Sequence, residues 1–184
     1  MRLKHSFKDV LGIISKELTI DEEGYAIQLM RNIESADRIF IAAVGRSKLI
    51  ASMFAMRLMH LGYTVYIVGD VTTPAIAFGD LLLIVSGSGN TKQLVNFVKQ
   101  AEEADIVLIT TSRSSKIKEQ NHNHLKYHEY YIGQERISSK GNLLPLGSRF
   151  ELTTLIFLET VVINIMNARD ISEENMKHKH ANLE

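Results

Sequence analysis

One stretch decides the fold of this chain: DLLLIVSGSGNTKQLVNFVKQAEEADIVLIT, from Asp80 to Thr110. It begins and ends with two short apolar runs, Leu81 to Val85 and Asp105 to Thr110. Continuous apolar runs of this length are typical of strands that are buried on both faces of a parallel sheet. Thr91 to Ala104, between them, has the spacing of a helix. The stretch therefore predicts a right-handed strand-helix-strand unit of an open α/β sheet.

The same alternation continues on both sides of this stretch. Two more continuous apolar runs, Arg38 to Val44 and Thr64 to Val68, predict central strands, with a helix from Lys48 to Leu61 between them. Lys126 to Ile132 mixes polar and aromatic residues, which favours a fifth strand at an edge of the sheet. Further helices are predicted at Lys4 to Leu18, Asp21 to Ala36, Ser148 to Ala168 and Ser172 to Lys179. We expect one α/β domain over residues 1–184, a three-layer α/β/α sandwich with N-terminal helices 1–36 and a C-terminal helical tail 169–184.

Composition excludes several classes of protein. A chain of 184 residues with 45% apolar and 23% charged residues is neither disordered nor a membrane protein. Its 21 basic and 21 acidic side chains leave no net charge, which argues against binding to nucleic acid. The absence of cysteine excludes disulfides and thiolate chemistry, and the N-terminus MRLKHSFKDV lacks the apolar run of a secretion signal. We expect a cytoplasmic protein that binds neither nucleic acid nor membrane.

Two of the predicted helices lack a polar face. Ser148 to Ala168 is apolar almost all round, and it is expected to be too short, and too interrupted by Glu159 and Asn164, to span a bilayer. The helix from Lys48 carries methionines at a spacing of three residues, Met53, Met56 and Met59. Such helices must be covered from more than one side. Either the chain forms a homo-oligomer, or its long helix is fully buried at the centre of one subunit.

Two loops that follow predicted strands contain residue types that are suited to binding an anion. The first contains Gly45, Arg46 and Ser47, and the second is SGSGNT, from Ser86 to Thr91. Gly45, Gly87 and Gly89 let the backbone approach an anion closely, and the hydroxyl groups of Ser86, Ser88 and Thr91 can donate hydrogen bonds to it. In open α/β sheets such loops lead into helix N-termini, which favour negative charge. The pair predicts a site for a phosphate monoester on a small molecule; the alternative is that SGSGNT is a tight strand-to-helix turn.

Other common sites fail on spacing. Lys92 stands where GxGxxG requires its third glycine, although Asp70 is placed as a ribose-binding acid is, and the nucleotide-binding pattern GxxxxGK[ST] does not occur. His122, His124 and His128 lack the accompanying carboxylates of a metal site and run from a loop into the edge strand. We therefore predict no bound metal.

Four stretches of the sequence resemble a known family. The stretches VGRSKLIASMFAMRLMHLGYTVYIVGDVTTPAI, LLLIVSGSGNT, PLGSRFELTTLIFLE and the terminal HANLE are similar to 6-phospho-3-hexuloisomerases, which belong to the sugar isomerase (SIS) domain superfamily. The resemblance covers essentially the whole chain. It implies a five-stranded parallel sheet of flavodoxin-like order and a tetrameric assembly. It also implies interconversion of D-arabino-3-hexulose 6-phosphate and fructose 6-phosphate, in formaldehyde fixation or pentose-phosphate supply, without metal or cofactor.

The resemblance also assigns roles to residues. Ser47, Ser86, Ser88 and Thr91 match the positions that hold the substrate phosphate, and Arg46 matches a position beside the sugar. Glu151 of PLGSRFE matches the catalytic base, and His180 of HANLE matches a histidine that enters a neighbouring subunit's site. Lys48 and Asn90 depart from the family, which often has glycine at the first position and glutamate or arginine at the second.

The expected chemistry fits these groups. Moving a carbonyl group from C3 to C2 requires removal of a proton at C2, an enediolate, and return of a proton at C3, and one carboxylate can perform both transfers. Arg46 and the loop amides are candidates to stabilise the enediolate, and His180 to assist ring opening of fructose 6-phosphate. Two other functions stay open: an aldose-ketose isomerase acting on another sugar phosphate, and a non-catalytic sugar-phosphate sensor, which would need the loops but not Glu151.

Overall fold

A five-stranded sheet forms the centre of the protein. The computed structural model describes residues 5–17, 21–124, 126–133 and 144–183. In chain order the strands are β1 (Ile39–Ala43), β2 (Val65–Ile67), β3 (Leu81–Val85), β4 (Asp105–Thr110) and β5 (Tyr127–Tyr131). All neighbouring pairs are parallel, and the order across the sheet is β2-β1-β3-β4-β5. This confirms the predicted parallel sheet of flavodoxin-like order and the edge position of β5.

Helices cover both faces of the sheet. They are α1 (Phe7–Glu17), α2 (Asp21–Ser35), α3 (Arg46–Leu61), α4 (Lys92–Gln100), α5 (Ser148–Ala168) and α6 (Glu173–Lys177), with a 3-10 helix at Lys118–Asn123. Alternate strand residues point to opposite faces. Those represented by Ile41 and Leu83 pack against α2, α3 and α5, whereas those represented by Phe40 and Leu82 pack against α4. The predicted three-layer α/β/α architecture is confirmed for the described residues.

Several predicted boundaries shift. Helix α3 begins at Arg46, two residues before the prediction, so Arg46 and Ser47 belong to its first turn and not to the preceding loop. Helix α4 ends at Gln100 and α6 is shorter than predicted. Lys4 and Leu18, the predicted ends of the first helix, lie outside the described residues.

The prediction that Thr64 to Val68 is a central strand was wrong. Strand β2 has three residues, lies at the edge of the sheet and is half-buried. Its apolar side chains suggested burial on both faces, but among the described strands β1 alone pairs with it, so its other backbone edge has no neighbour there. Periodicity reports how apolar a strand is and not where the chain places it.

The prediction that helix α5 is too short to span a bilayer was also wrong. Its 21 residues are enough to cross a bilayer by length and composition, since they rise about 32 Å. Half of its most apolar window is nevertheless buried in the protein, where the helix contacts α1, α2 and α3. The alternative of a fully buried helix was wrong as well, because Ile156 and Ile163 are exposed.

The sheet topology fixes where a ligand can bind. From β1 the chain crosses over to β2 on one side, and β3 then lies on the other side of β1. The carboxyl ends of β1 and β3 therefore flank a topological switch point, which is the usual ligand crevice of open α/β sheets. Strand β1 is followed by Gly45 and the first turn of α3, which contains Arg46 and Ser47, and β3 is followed by the loop Ser86–Thr91.

Candidate functional site

A cleft of about 500 Å³ opens at this switch point. Six of the residues predicted to form the site line it: Ser47, Ser86, Gly87, Ser88, Thr91 and Glu151. Residues that the sequence analysis did not assign to the site also line it, among them Thr111, Ser112, Arg149 and Phe150. The two predicted loops and the start of α5 therefore meet at one site, although they are far apart in the sequence.

The SGSGNT loop is closed by its own hydrogen bonds. The Gly89 amide donates to the backbone oxygen and the hydroxyl oxygen of Ser86, both at 3.2 Å, and the Asn90 amide donates to the Ser88 hydroxyl oxygen at 3.3 Å. Gly89 has a φ of +62°, and a Cβ atom there would lie 2.4 Å from the Cβ atom of Ser115. Backbone conformation and space both require glycine at this position.

Gly87 is fixed from two other elements. Its carbonyl oxygen accepts hydrogen bonds from the hydroxyl groups of Thr110, at 3.1 Å, and Thr111, at 2.8 Å, at the carboxyl end of β4. On its other side the Phe150 ring lies so close that a Cβ atom at Gly87 would be 3.0 Å from the ring. Neither threonine was predicted to belong to the site. Their position directly after a buried parallel strand, at the same edge as the loop, is the signal that could have found them.

Three helix N-termini meet at the cleft. The cap residues are Gly45 for α3, Thr91 for α4 and Gly147 for α5, and none of the three makes a side-chain capping hydrogen bond. Gly45 has φ 60° and ψ −139°, a region that is essentially restricted to glycine. The first amides of a helix have no intrahelical partner, and the helix dipole adds positive potential at the same end. An anion bound in the cleft would satisfy such amides.

Glu151 is the buried acid of the site. It lies in the first turn of α5 and is 7% exposed. Its Oε2 atom accepts a hydrogen bond of 2.6 Å from Nε of Arg46, whose side chain is 65% exposed. Two residues assigned to the chemistry, 105 positions apart, are therefore in direct contact. The ion pair compensates for removing the carboxylate from water.

His180 lies far from the cleft of its own chain. Its ring stacks on that of His60 with 5.2 Å between centroids. His60 is in the last turn of α3 and Arg46 is in the first, so the helix separates them by roughly 21 Å. The structure therefore places His180 away from the cleft of its own chain, and its role in the cleft of a neighbouring subunit stays a prediction.

The two remaining candidates have ordinary surroundings. Asp70, considered as a ribose-binding acid, forms an exposed ion pair of 3.6 Å with Lys48. In the histidine cluster, burial lowers the pKa of His124, while His122 is exposed. Within the described part of the chain, no group of three or more histidine, aspartate or glutamate side chains is arranged to hold a metal.

Comparison with known proteins agrees with this geometry. The SIS domain matches residues 32–132. A 3-hexulose-6-phosphate isomerase of Methylomonas aminofaciens is 39% identical over 95% of this chain and 96% of the relative, and one of Bacillus subtilis is 38% identical over 86% of each. The crystal structure of a Methanococcus jannaschii protein, inferred to be a 3-hexulose-6-phosphate isomerase, aligns with a TM-score of 0.77 and 34% identity over 96% of both chains. The chain therefore belongs to the SIS domain family and, within it, to the family of the 3-hexulose-6-phosphate isomerases.

Proposed function

We propose that this protein is a 3-hexulose-6-phosphate isomerase, which interconverts D-arabino-3-hexulose 6-phosphate and D-fructose 6-phosphate. The observation that carries the proposal is the position of Glu151, a buried carboxylate that lines the same cleft as the SGSGNT loop. A sugar phosphate anchored at the loop brings its carbon chain to a group able to move protons. The names of the relatives support the same reaction.

In this proposal the phosphate group binds at the loops. Ser47, Ser86, Ser88 and Thr91 all line the cleft and supply hydroxyl donors. The uncapped N-termini of α3, α4 and α5 support the same assignment, because such helix ends are ready-made phosphate sites. Gly45, Gly87 and Gly89 serve the site through their backbone.

Glu151 then transfers the proton between neighbouring carbons. Starting from the 3-ketose, it removes the C2 proton as a base and returns a proton to C3 as an acid, with an enediolate between the two steps, while the proton of the O2 hydroxyl group passes to O3. Arg46 holds Oε2 of the carboxylate and places positive charge beside it. That charge stabilises the negative charge which develops on the enediolate oxygens.

We further propose that the protein is a cytoplasmic homotetramer in which His180 serves the cleft of a neighbouring subunit. Exposed apolar side chains support an assembly: Met53 and Met56 on α3 are 47% and 50% exposed, and Ile163 on α5 is 55% exposed. Apolar surface of this kind marks contact sites between proteins. Because His180 lies away from the cleft of its own chain, the proposal assigns it to the cleft of a neighbouring subunit, where it assists ring opening of fructose 6-phosphate.

The other candidate functions predict different exchange with solvent. The protein is incubated with fructose 6-phosphate in deuterated water and followed by NMR, beside the variant Glu151→Gln. We expect deuterium at C3 of fructose 6-phosphate and a new 3-ketose, with neither in the variant. Deuterium at C1 would instead show an aldose-ketose isomerase, and binding without any exchange would show a sensor.

A further inference from the structure

The side chains assigned to the substrate phosphate carry hydroxyl groups and no positive charge. Among the described residues that line the cleft, two are charged, Glu151 and Arg149. Glu151 is the proposed base and carries charge of the same sign as the ligand. A phosphate monoester brings a charge of about −1.5 to −2 at neutral pH. Arg149 is therefore the side chain in the lining that can offset it.

Arg149 is held in place by a buried acid from the start of the chain. Its Nη1 atom lies 2.7 Å from Oε1 of Glu17, the last residue of α1. The Glu17 side chain is 4% exposed, whereas that of Arg149 is 30% exposed and reaches the cleft. A carboxylate this deeply buried needs its cation, so the pair fixes the arginine in one direction.

The location of Arg149 in its helix also favours an anionic ligand. It is the second residue of α5, so its positive charge lies at the positive end of the helix dipole. That position is unfavourable for a cation unless anions surround it. A guanidinium group has five N–H donors in a planar fork and can hold a carboxylate and a phosphate at once.

We propose that Arg149 binds the phosphate group of the substrate and that Glu17 is the residue that positions it. The assignment rests on the proposed function only in that the ligand is a phosphate ester. It extends the site to α1, which lies outside the residues 32–132 that match the SIS domain. Neither residue was singled out from the sequence, because 132 positions separate them.

The sharpest variant replaces both partners, Glu17→Met together with Arg149→Met. Replacing Arg149 alone would take away the cation that the buried Glu17 carboxylate contacts and could unfold the protein, whereas exchanging a whole buried ion pair for apolar residues is usually tolerated. The control is Asp105→Met together with Lys126→Met, which removes another ion pair, at the amino ends of β4 and β5. Like the double variant, it leaves the net charge of the protein unchanged, and it does not touch the cleft.

Calorimetry measures the dissociation constants for inorganic phosphate and fructose 6-phosphate. We expect the double variant to bind both at least about tenfold more weakly, as loss of a charged hydrogen-bonding partner would, with an unchanged thermal midpoint, and the control to bind like the wild type. Unchanged affinity in the folded double variant overturns the proposal, as does a wild type that does not bind inorganic phosphate. Should that variant not fold, Glu17→Gln with Arg149→Gln gives the same test.

Glu17→Gln alone tests positioning. We expect KM for fructose 6-phosphate to rise several-fold with kcat unchanged, because a loosened Arg149 weakens binding equally in the ground state and the transition state. Tighter binding would show that Glu17 merely neutralises the arginine and would overturn its positioning role. The isomerase assignment fails separately: a protein that binds phosphate through Arg149 but exchanges no deuterium refutes the reaction and leaves the phosphate site intact.

Discussion

Gly89→Ala tests whether the SGSGNT loop has the conformation described. At φ +62° an alanine costs about 1–2 kcal/mol relative to a right-handed conformation. Its Cβ atom would also lie 2.4 Å from the Cβ atom and 2.7 Å from the Oγ atom of Ser115. Because the Cβ atom of Ser115 is fixed to its backbone, the loops must move apart, which adds about 1–3 kcal/mol. We expect a total loss of about 2–5 kcal/mol in the free energy of unfolding.

The matched control is Gly24→Ala, the same substitution within α2. Nothing lies within 4 Å of a Cβ atom built there, and its φ is not positive. An alanine should stabilise this helix by about 0.5–1 kcal/mol. Urea unfolding followed by circular dichroism measures both variants against the wild type. Equal urea midpoints for Gly89→Ala and the wild type would refute the loop geometry, and a fall in both variants would show a general intolerance to the substitution.

Three further predictions concern the proposed base, the tail and a buried histidine. Glu151→Gln should lower kcat on fructose 6-phosphate at least about a hundredfold while leaving the dissociation constant nearly unchanged, because only proton transfer is lost. Removing residues 180–184 should slow turnover of fructose 6-phosphate, which needs ring opening, more than turnover of the 3-ketose. Since burial lowers the pKa of His124 below 6.5, the folded protein resists its protonation; the free energy of unfolding should fall as pH drops below 6.5, and His124→Gln should weaken that fall.

Simple results would contradict each of these. Turnover within threefold of the wild type would remove Glu151 from the chemistry. A truncated chain that is fully active in both directions would make His180 a bystander. Urea unfolding with the same pH dependence in His124→Gln and the wild type would show that another group causes it.

Local sequence patterns were enough to predict most of the fold. The apolar runs at Leu81–Val85 and Asp105–Thr110 became buried neighbouring strands because continuous hydrophobicity is a direct record of burial on two faces. Val65–Ile67 has a similar composition but lies at an edge. The difference comes from the direction of the crossovers, and a run of side chains does not encode that direction.

The site was predictable where one short segment performs one task. Ser86–Thr91 combines its glycines and hydroxyls within six positions, so the motif itself shows its chemistry. The contacts of Arg149 with Glu17, and of Thr111 with Gly87, join distant parts of the chain. They depend on how α1 and β4 pack against the rest of the protein, and no local sequence pattern predicts that packing.

The most direct measurement is a crystal structure of the Glu151→Gln variant with fructose 6-phosphate bound. We expect the phosphate group to lie within hydrogen-bonding distance, about 3 Å, of the Ser86–Thr91 loop and Ser47. C2 and C3 of the sugar should lie next to the side chain at position 151. A phosphate group bound away from the Ser86–Thr91 loop and Ser47, or a carbon chain that points away from position 151, would contradict the proposed site and reaction.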